Sequence, residues 1–464
     1  MLGLFGTLSL GARSLQVQHQ GVEVAGHNLA NVNNPAYARQ RVNIQTSLAI
    51  PSDSGWEGTG AEVISIQQLR SSLLDGQIQT EESVKGFLEA KQRALQNGQA
   101  VLGEQIDRKG DGDHGITQGL STLFNAFQSV STNPTSLSER QSAVMQGQNL
   151  AAQLREIDGR LGKLKVALDE TVEGDVSAAN DLIKTIANYN SQIFKEESGV
   201  PGSANDLRDL RQQKIEELSK LVNLQPAPQA NGMVTLSISG VSVVTTTGVA
   251  DTLETYDAGG GQKLVRTRTA GTPLTLTGGS LQGTIDARDG AVQDLRTEVN
   301  GLAAVLITEV NALHSTGFSL TGSTGANFFT GTNAADIDVN SALLSDPALL
   351  QVSGTNGAVG DNQVALALGQ LANQAQVSLA GRTFSQNYGQ NVAGFGNALS
   401  SVNRELSDQT AVGDMLLRQR DSVSGVSLDE EMTDLVKFQK AFEASAHLIT
   451  TVDEMLDTVL NLKR

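Results

Sequence analysis

The residues that could bind a metal ion are first of all the histidines, and their spacing does not fit a metal-binding helix. A zinc site on one helix typically needs two histidines around a glutamate, as in H-E-x-x-H. The chain has five histidines, none in such a pattern: His19, His27, His114, His314 and His447. We interpret each as an ordinary polar position. The absence of cysteine also excludes disulfides, thiolate metal sites and cysteine nucleophiles.

Two further segments match ligand-binding loops only in part. Asp107, Asp111 and Asp113 resemble half of an EF-hand loop, but Gln118 stands where that loop needs a bidentate acid. We therefore predict a plain acidic turn. The glycines of residues 259–261 precede Lys263 without the spacing or the Ser/Thr of a P-loop, so a hairpin turn is predicted there.

No set of nucleophile, base and orienting group is marked out by the sequence, and no G-x-S-x-G elbow occurs. We therefore predict that the chain is not an enzyme and has no catalytic residue, metal or cofactor. An enzyme stays the alternative class. Acids and histidines that converge in one cleft would favour that alternative.

Composition indicates a protein of helices packed on helices. A chain of 464 residues should form two to four domains. Only 4 % of the residues are aromatic although 39 % are hydrophobic, so Leu, Val, Ile and Ala must build the cores. The net charge of −17 without a basic block argues against nucleic acid and against an anionic membrane surface. The first fifteen residues lack the features of a secretory signal peptide, and no stretch reaches transmembrane length.

The C-terminal segment carries a heptad stripe that predicts a long helix. Ser427 and Glu430 fit a capping box at its start, and Lys463 and Arg464 suit the negative end of its dipole. The stripe and the interleaved apolar positions are Leu428, Leu435, Phe438, Phe442, Ile449, Val452, Leu456 and Val459.

The N-terminal segment has a matching stripe that ends at Asn33–Pro35, where proline stops a helix. Small residues lie beside it and would let another backbone approach; they are Gly11, Ala12, Ala25 and Gly26. The stripe consists of Leu8, Leu15, Val22 and Leu29. We expect the two terminal helices to pair antiparallel and both stripes to form the assembly interface with neighbouring subunits. Ordinary packing of two helices within one monomer is the alternative.

The interior divides into a helical body and a β insertion. Helical composition is found over Thr80–Leu102, Gln118–Val130, Ser136–Tyr189, Asp206–Leu224, Asp286–Leu313 and Gln363–Leu417. Residues 231–285 have strand and turn composition, and 315–360 read as loop. We predict a mainly α protein with three domains: a terminal helical core domain (1–55 plus 420–464), a helical body (56–225 plus 286–419) and an outer β domain (226–285).

Four sequence blocks resemble the family of flagellar rod, hook and hook-associated proteins. Gly26–Gln40 is similar to the family's N-terminal signature, with Ala36 where members usually have Gly, so the turn here must accept a side chain. Ser424–Met432 is similar to the C-terminal block. Ala204–Asp209 and Gly317–Gly322 resemble segments of members that form the hook–filament junction. The signature positions are Asn28, Asn31, Pro35, Tyr37, Arg39 and Gln40.

The resemblance implies a secreted structural subunit that joins the hook to the filament and permits filament assembly. It implies self-association in a tubular lattice, contacts with the hook protein and with the next hook-associated protein, and export through the flagellar type III apparatus. An export chaperone would hold the C-terminal helix. A hook or rod subunit, or a secreted fibrous adhesin, is the alternative.

Overall fold

The computed structural model describes residues 3–52, 55–102, 115–199, 202–259 and 261–461. Helices dominate the described residues, as predicted. They are α1 (Leu4–Ala30), α2 (Ser72–Leu102), α3 (Ile116–Thr132), α4 (Leu137–Glu197), α5 (Asn205–Leu221), α6 (Gly279–Ala287), α7 (Gln293–His314), α8 (Ser341–Ser345), α9 (Gln363–Gln370), α10 (Phe384–Ser424) and α11 (Leu428–Asn461).

The strands form small antiparallel sheets. They are β1 (Gln40–Thr46), β2 (Ile50–Ser52), β3 (Gly55–Glu57), β4 (Ala61–Gln68), β5 (Gln225–Pro228), β6 (Val234–Ile238), β7 (Val241–Thr245), β8 (Gly248–Val249), β9 (Leu253–Asp257), β10 (Lys263–Thr267), β11 (Phe329–Thr330) and β12 (Asp338–Val339). β1 pairs with β4 and β2 with β3, while β5 to β8 form one sheet in chain order.

The helices α1 and α11, here called the terminal pair, pack against each other antiparallel, as predicted. Small residues of α1 line the seam. A Cβ added to Gly11 would lie 2.8 Å from Ile449, and one added to Gly21 would lie 2.5 Å from Phe438. Between them the hydroxyls of Ser14 and Ser445 are 2.8 Å apart. The predicted close approach is therefore present at Gly11. It is absent at Gly26, where an added Cβ would have nothing within 4 Å, and Ala12 is exposed.

The predicted N-terminal stripe does not form the centre of this seam. Leu8, Leu15, Val22 and Leu29 are only half-buried, whereas the fully buried positions of α1 are Gly11, Val17, Gly21, Val24, Ala25 and Asn28. The buried seam includes Gly21 and Asn28, which are seven residues apart. Each residue of the predicted stripe comes one position later in the sequence, which places it about 100° further around the helix. The larger side chains therefore flank the contact.

On α11 the predicted stripe is more buried in its middle than at its ends. Val452 is buried, and Leu435, Phe438, Phe442, Ile449 and Leu456 are half-buried. Leu428 and Val459 are 52 % and 54 % exposed. With Gly11 opposite Ile449 in an antiparallel pair, both residues extend beyond the ends of α1.

One apolar core holds the helical body, which comprises α2, α3, α4, α7, α9 and α10. It buries Phe127, Phe328 and Phe384 completely. Ser136 caps α4 by accepting from Glu139 N, and α4 continues to Glu197, beyond the predicted end at Tyr189. The predicted helix over 363–417 is interrupted between α9 and α10, because a capping box at Thr383 starts a new helix there.

The β insertion shares a second core with the distal half of α4. Val172 and Ile183 of that helix pack with Leu236 and Val243 of the sheet. The β9–β10 hairpin confirms the turn predicted before Lys263. Helix α6, in the last part of the predicted β segment, is instead packed on α2, where Gly283 lets the backbone of Phe87 approach closely.

Three features qualify the sequence-based picture. The β1–β4 hairpin falls in a region for which we predicted no strands. Residues 315–360 are mostly loop, as expected, but they bury Phe328 and Phe329. The predicted acidic turn at Asp107–Asp113 lies outside the described residues.

No helix within the described ranges is both long and apolar enough to cross a membrane.

Candidate assembly interface and its polar junction

A fixed turn follows the end of α1. The Asn31 amide donates to His27 O at 3.0 Å and closes the last helical turn. The Asn34 side chain then accepts from Ala36 N at 3.2 Å, which is an Asx turn. Ala36 is not among the described residues with positive φ, so this turn accepts a side chain, as we expected. Pro35 fixes the backbone at its centre.

Asn28 is the hub of a polar junction between the two ends of the chain. It is 1 % exposed, and its amide donates to Gln40 O at 2.9 Å and to Glu431 Oε2 at 3.0 Å. Its carbonyl oxygen accepts from Tyr37 Oη at 2.7 Å and from Gln40 N at 2.9 Å. Two donors and two lone pairs are all that an asparagine side chain offers. Each is therefore used.

Arg39 joins the same junction to the start of α11. Its guanidinium is 2.6 Å from Glu430 Oε2 and 2.6 Å from Glu431 Oε1, and its backbone N–H donates to Ser424 O at 2.8 Å. Burial alone would lower the pKa of Arg39, but Glu431 and Glu430 raise it overall. Glu430, predicted to cap α11, is thus hydrogen bonded to Arg39 instead.

Helix α5 anchors the turn to the helical body. Asp209 Oδ2 accepts from Ala38 N at 3.0 Å, and Asp206 Oδ1 accepts from Gln40 Nε2 at 2.9 Å. His27 Nε2 lies 3.5 Å from Asp206 Oδ2. Burial raises the pKa of Asp209 to about 6, opposed by the Ala38 hydrogen bond and by Arg70. Burial, together with Asp206, also raises the pKa of Tyr37.

Exposed apolar residues lie toward both ends of α11. We define these residues, with Phe5 of α1, as the outer apolar surface; they are Phe5, Leu428, Met432, Val436, Met455, Val459 and Leu460. Two more exposed apolar side chains, Leu48 and Trp56, lie on the hairpin that follows β1. Exposed apolar side chains at the ends of a helix are candidates for a protein–protein contact.

The four histidines within the described residues do not converge, and His114 lies outside those residues. His314 is fully buried, and Ala326 O lies 2.8 Å from its Nδ1 while its Nε2 accepts from Gln351 N at 3.0 Å. Burial lowers the pKa of His314 to about 4, so it is neutral at pH 7. His19 packs near Phe442, and His447 lies beside Thr451. Within the described ranges no cluster of three or more His, Asp or Glu could hold a metal ion.

The structure brings together signature residues that the sequence could only place along one segment. Asn28, Tyr37, Arg39 and Gln40 meet in the polar junction. Asn31 and Pro35 shape the turn beside it. The contact from α5 through Asp206 and Asp209 was not predicted, although the block that contains both residues was recognised. The two acidic residues in that block were the only feature of the sequence that could have indicated a polar contact there.

Two family models match this chain. Residues 103–329 match the flagellar hook-associated protein FlgK helical domain, and residues 418–462 match the C-terminal region of the flagellar basal body rod FlgEFG proteins. The second match covers α11, which pairs with α1. Together with this helix pair, the matches place the chain in the class of axial structural proteins of the bacterial flagellum.

The relatives that match nearly the full length of this chain share one name. The chain is 26 % identical to flagellar hook-associated protein 1 of Bacillus subtilis (strain 168), over 99 % of both chains. It is 22 % identical to the protein of that name from Salmonella typhimurium, over 97 % of this chain and 98 % of the relative. Over nearly its whole length the chain is therefore similar to flagellar hook-associated protein 1 of other bacteria.

Two further comparisons concern the fold and the shared ends. A structure described as the flagellar hook junction protein FlgK from Burkholderia pseudomallei has the same fold, with a TM-score of 0.63 and 16 % identity; 75 % of this chain and all of that one are covered. Flagellar hook protein FlgE of Treponema pallidum is 37 % identical, but over only 24 % of this chain and 23 % of its own length.

Proposed function

We propose that this chain is a structural subunit of the bacterial flagellum that joins the hook to the filament and permits filament assembly. The observation that carries the proposal is the extent of the similarity. Relatives named hook-associated protein 1 match 97 % or more of this chain, whereas the hook proteins match 24 % or less. This contrast favours a junction subunit over a hook subunit.

Self-association is proposed to use the terminal pair. Helix α11 packs mainly on α1, and no residue of either helix belongs to the two large cores. The outer apolar surface is left to neighbouring copies in a tubular lattice, which would bury Leu428 and Val459. Burying each such side chain stabilises a contact by roughly 1.5–3 kcal/mol.

The partners follow from a position between two lattices. We propose the hook protein on one side and the next hook-associated protein on the other.

We further propose that the chain is exported by the type III route to the outside of the cell. Because α11 adds little to either core, it can separate from the body, and an export chaperone is proposed to hold it before assembly. We propose no enzymatic activity.

A deletion tests the assignment. Cells without the gene should make hooks that carry no filaments and should lose flagellin to the medium, and the wild-type gene should restore filaments. Electron micrographs and immunoblots of the medium give the two readouts. Filaments of normal length on deleted cells would refute the junction role. Loss of the hooks as well would point instead to a hook or rod subunit.

A further inference from the structure

Four asparagines of this chain precede a glycine, and the structure holds them in different ways. They are Asn97, Asn231, Asn300 and Asn356. An asparagine in this position can react with its own backbone, because the nitrogen of the next residue can attack the side-chain carbonyl carbon. Glycine hinders this attack least, since it has no side chain. The reaction needs an asparagine side chain that is free to turn and a following N–H that is free of a hydrogen bond.

Two of the four pairs lie inside helices. Asn97 belongs to α2 and Asn300 to α7, where the N–H of the following glycine lies in the helical hydrogen-bond ladder. The Asn300 side chain is engaged as well, since its amide donates to Asp158 Oδ1 at 2.8 Å and its oxygen accepts from Ala334 N at 3.0 Å. In neither pair is the attacking N–H free.

The third pair lies in a turn that holds both reacting groups. Gly232 N donates to Gln229 O at 3.1 Å, and Asn231 Oδ1 accepts from Met233 N at 3.2 Å. Asn231 is nevertheless exposed. Exposure alone therefore does not distinguish this pair from the fourth one, but its hydrogen bonds do.

The fourth pair forms the tip of a loop and is free in both respects. Asn356 and Gly357 are exposed, and within the described residues neither the Asn356 side chain nor the Gly357 N–H has a hydrogen-bond partner. The turn around them is closed by Ala358 N, which donates to Thr355 O at 3.3 Å. Gly357 has a φ of +78°, so this turn favours the residue that also permits the attack.

We infer that Asn356 is a site of spontaneous modification in the folded chain, where it converts to aspartate and isoaspartate. The Gly357 nitrogen bonds to Cγ of Asn356 and loses its proton, and the side-chain nitrogen leaves as ammonia. Water then opens the resulting five-membered imide at one of its two carbonyl carbons. One opening gives aspartate, and the other gives isoaspartate, whose main chain is one carbon longer. The reaction consumes water and needs no oxidant or reductant.

The modification changes the loop and leaves the helical body intact. The extra main-chain carbon of isoaspartate lies inside the turn that Ala358 and Thr355 close, so their hydrogen bond is lost. Either product also adds a negative charge to a loop in which the Asp361 carboxylate already accepts from Gly354 N at 2.7 Å. The chain therefore carries one surface loop that changes with age. This inference does not depend on the proposed function.

Peptide mass spectrometry of the full-length chain tests the inference. The folded protein is incubated at mildly alkaline pH, and the four asparagine–glycine peptides are followed with time. Asn356 should convert roughly tenfold faster than each of the other three asparagines, which corresponds to a barrier difference of about 1.4 kcal/mol. In concentrated urea the protecting hydrogen bonds are lost, so all four should convert at similar rates. Methylation by an isoaspartate-specific methyltransferase identifies the longer product.

The variant Asn356→Gln is the control, because glutamine must form a six-membered ring and reacts far more slowly. It should abolish the conversion of this peptide and leave the other three rates unchanged. Conversion of Asn356 at the same rate as Asn231 in the folded chain would overturn the inference. So would a folded chain in which Asn356 converts more slowly than the helical Asn97. Neither readout depends on filament growth.

Discussion

The core of the helical body buries Phe127 and Phe328 completely and packs them edge to face at 5.2 Å, whereas the seam of the terminal pair meets across Gly11 and Gly21. The body thus removes large side chains from water within one chain. The pair gains close backbone contact but leaves its larger apolar residues half-buried or exposed. The comparison indicates that the body is stable alone and that the pair depends on neighbours.

The largest effect is expected from a charge in the seam. Phe442→Asp places a carboxylate against α1 near His19, where it must be desolvated at a cost of several kcal/mol. Assembly should fall to background while the melting temperature stays nearly unchanged, because α11 contributes to neither large core. Motility and recovery in detached hook-basal bodies measure assembly, with Phe442→Leu as control.

Two results would break this part of the comparison. A melting temperature far below wild type would place α11 in the core of the monomer. Motile cells carrying the aspartate would show that the seam has no part in assembly.

The body should respond in the opposite way to truncation of its core. Phe328→Ala removes a ring that contacts Phe127, Phe329 and His314, and such truncations typically cost about 3–5 kcal/mol. Denaturant unfolding of the purified chain should show this loss. The exposed Phe5→Ala provides the control and should stay within about 0.5 kcal/mol of wild type. Equal losses for both variants would contradict the distinction.

A larger side chain in the seam should destabilise the terminal pair without affecting the helical body. Gly21→Val must displace the Phe438 ring, and changes of this kind cost about 1–3 kcal/mol. Because only the pair is affected, amide exchange in α1 and α11 should accelerate while that of α4 stays constant. Gly26→Val, with open space at its Cβ position, is the matched control. Exchange that accelerates throughout the chain would mean that the pair and the body unfold together.

The smallest expected effect is a pH dependence at the polar junction. The pKa of Asp209 is raised to about 6 in the folded chain from an ordinary value of 3.8, so the folded state binds the extra proton. This contribution is complete below the ordinary pKa and is lost as pH rises through 6, at up to about 1.4 kcal/mol per pH unit.

Denaturant unfolding of the purified chain at several pH values should measure this effect. The free energy of unfolding should decrease from pH 5 to pH 7 in wild type. Asp209→Asn keeps an oxygen that can accept from Ala38 and should show a smaller decrease over the same range. A wild-type free energy of unfolding that decreases no more than that of Asp209→Asn would contradict the assigned direction.

Local periodicity was sufficient to predict much of the architecture. The heptad of Phe442 and Ile449 predicted α11 and its antiparallel partner, because helical repeats are written in neighbouring residues. The seam of α1 was predicted only at Gly11, because Gly21 and Ser14 carry no hydrophobic signal. Asp209 lies 171 positions from Ala38, and no local pattern in the sequence connects two such residues.

Helix α4 runs without interruption for 61 residues, a length of roughly 90 Å. Its first half packs in the core with Phe328 and its second half in the core with Leu236. A single helix that is packed into two separate cores resists bending between them. Bending moments and torsional load applied at the β insertion are therefore carried into the body by a continuous ladder of backbone hydrogen bonds.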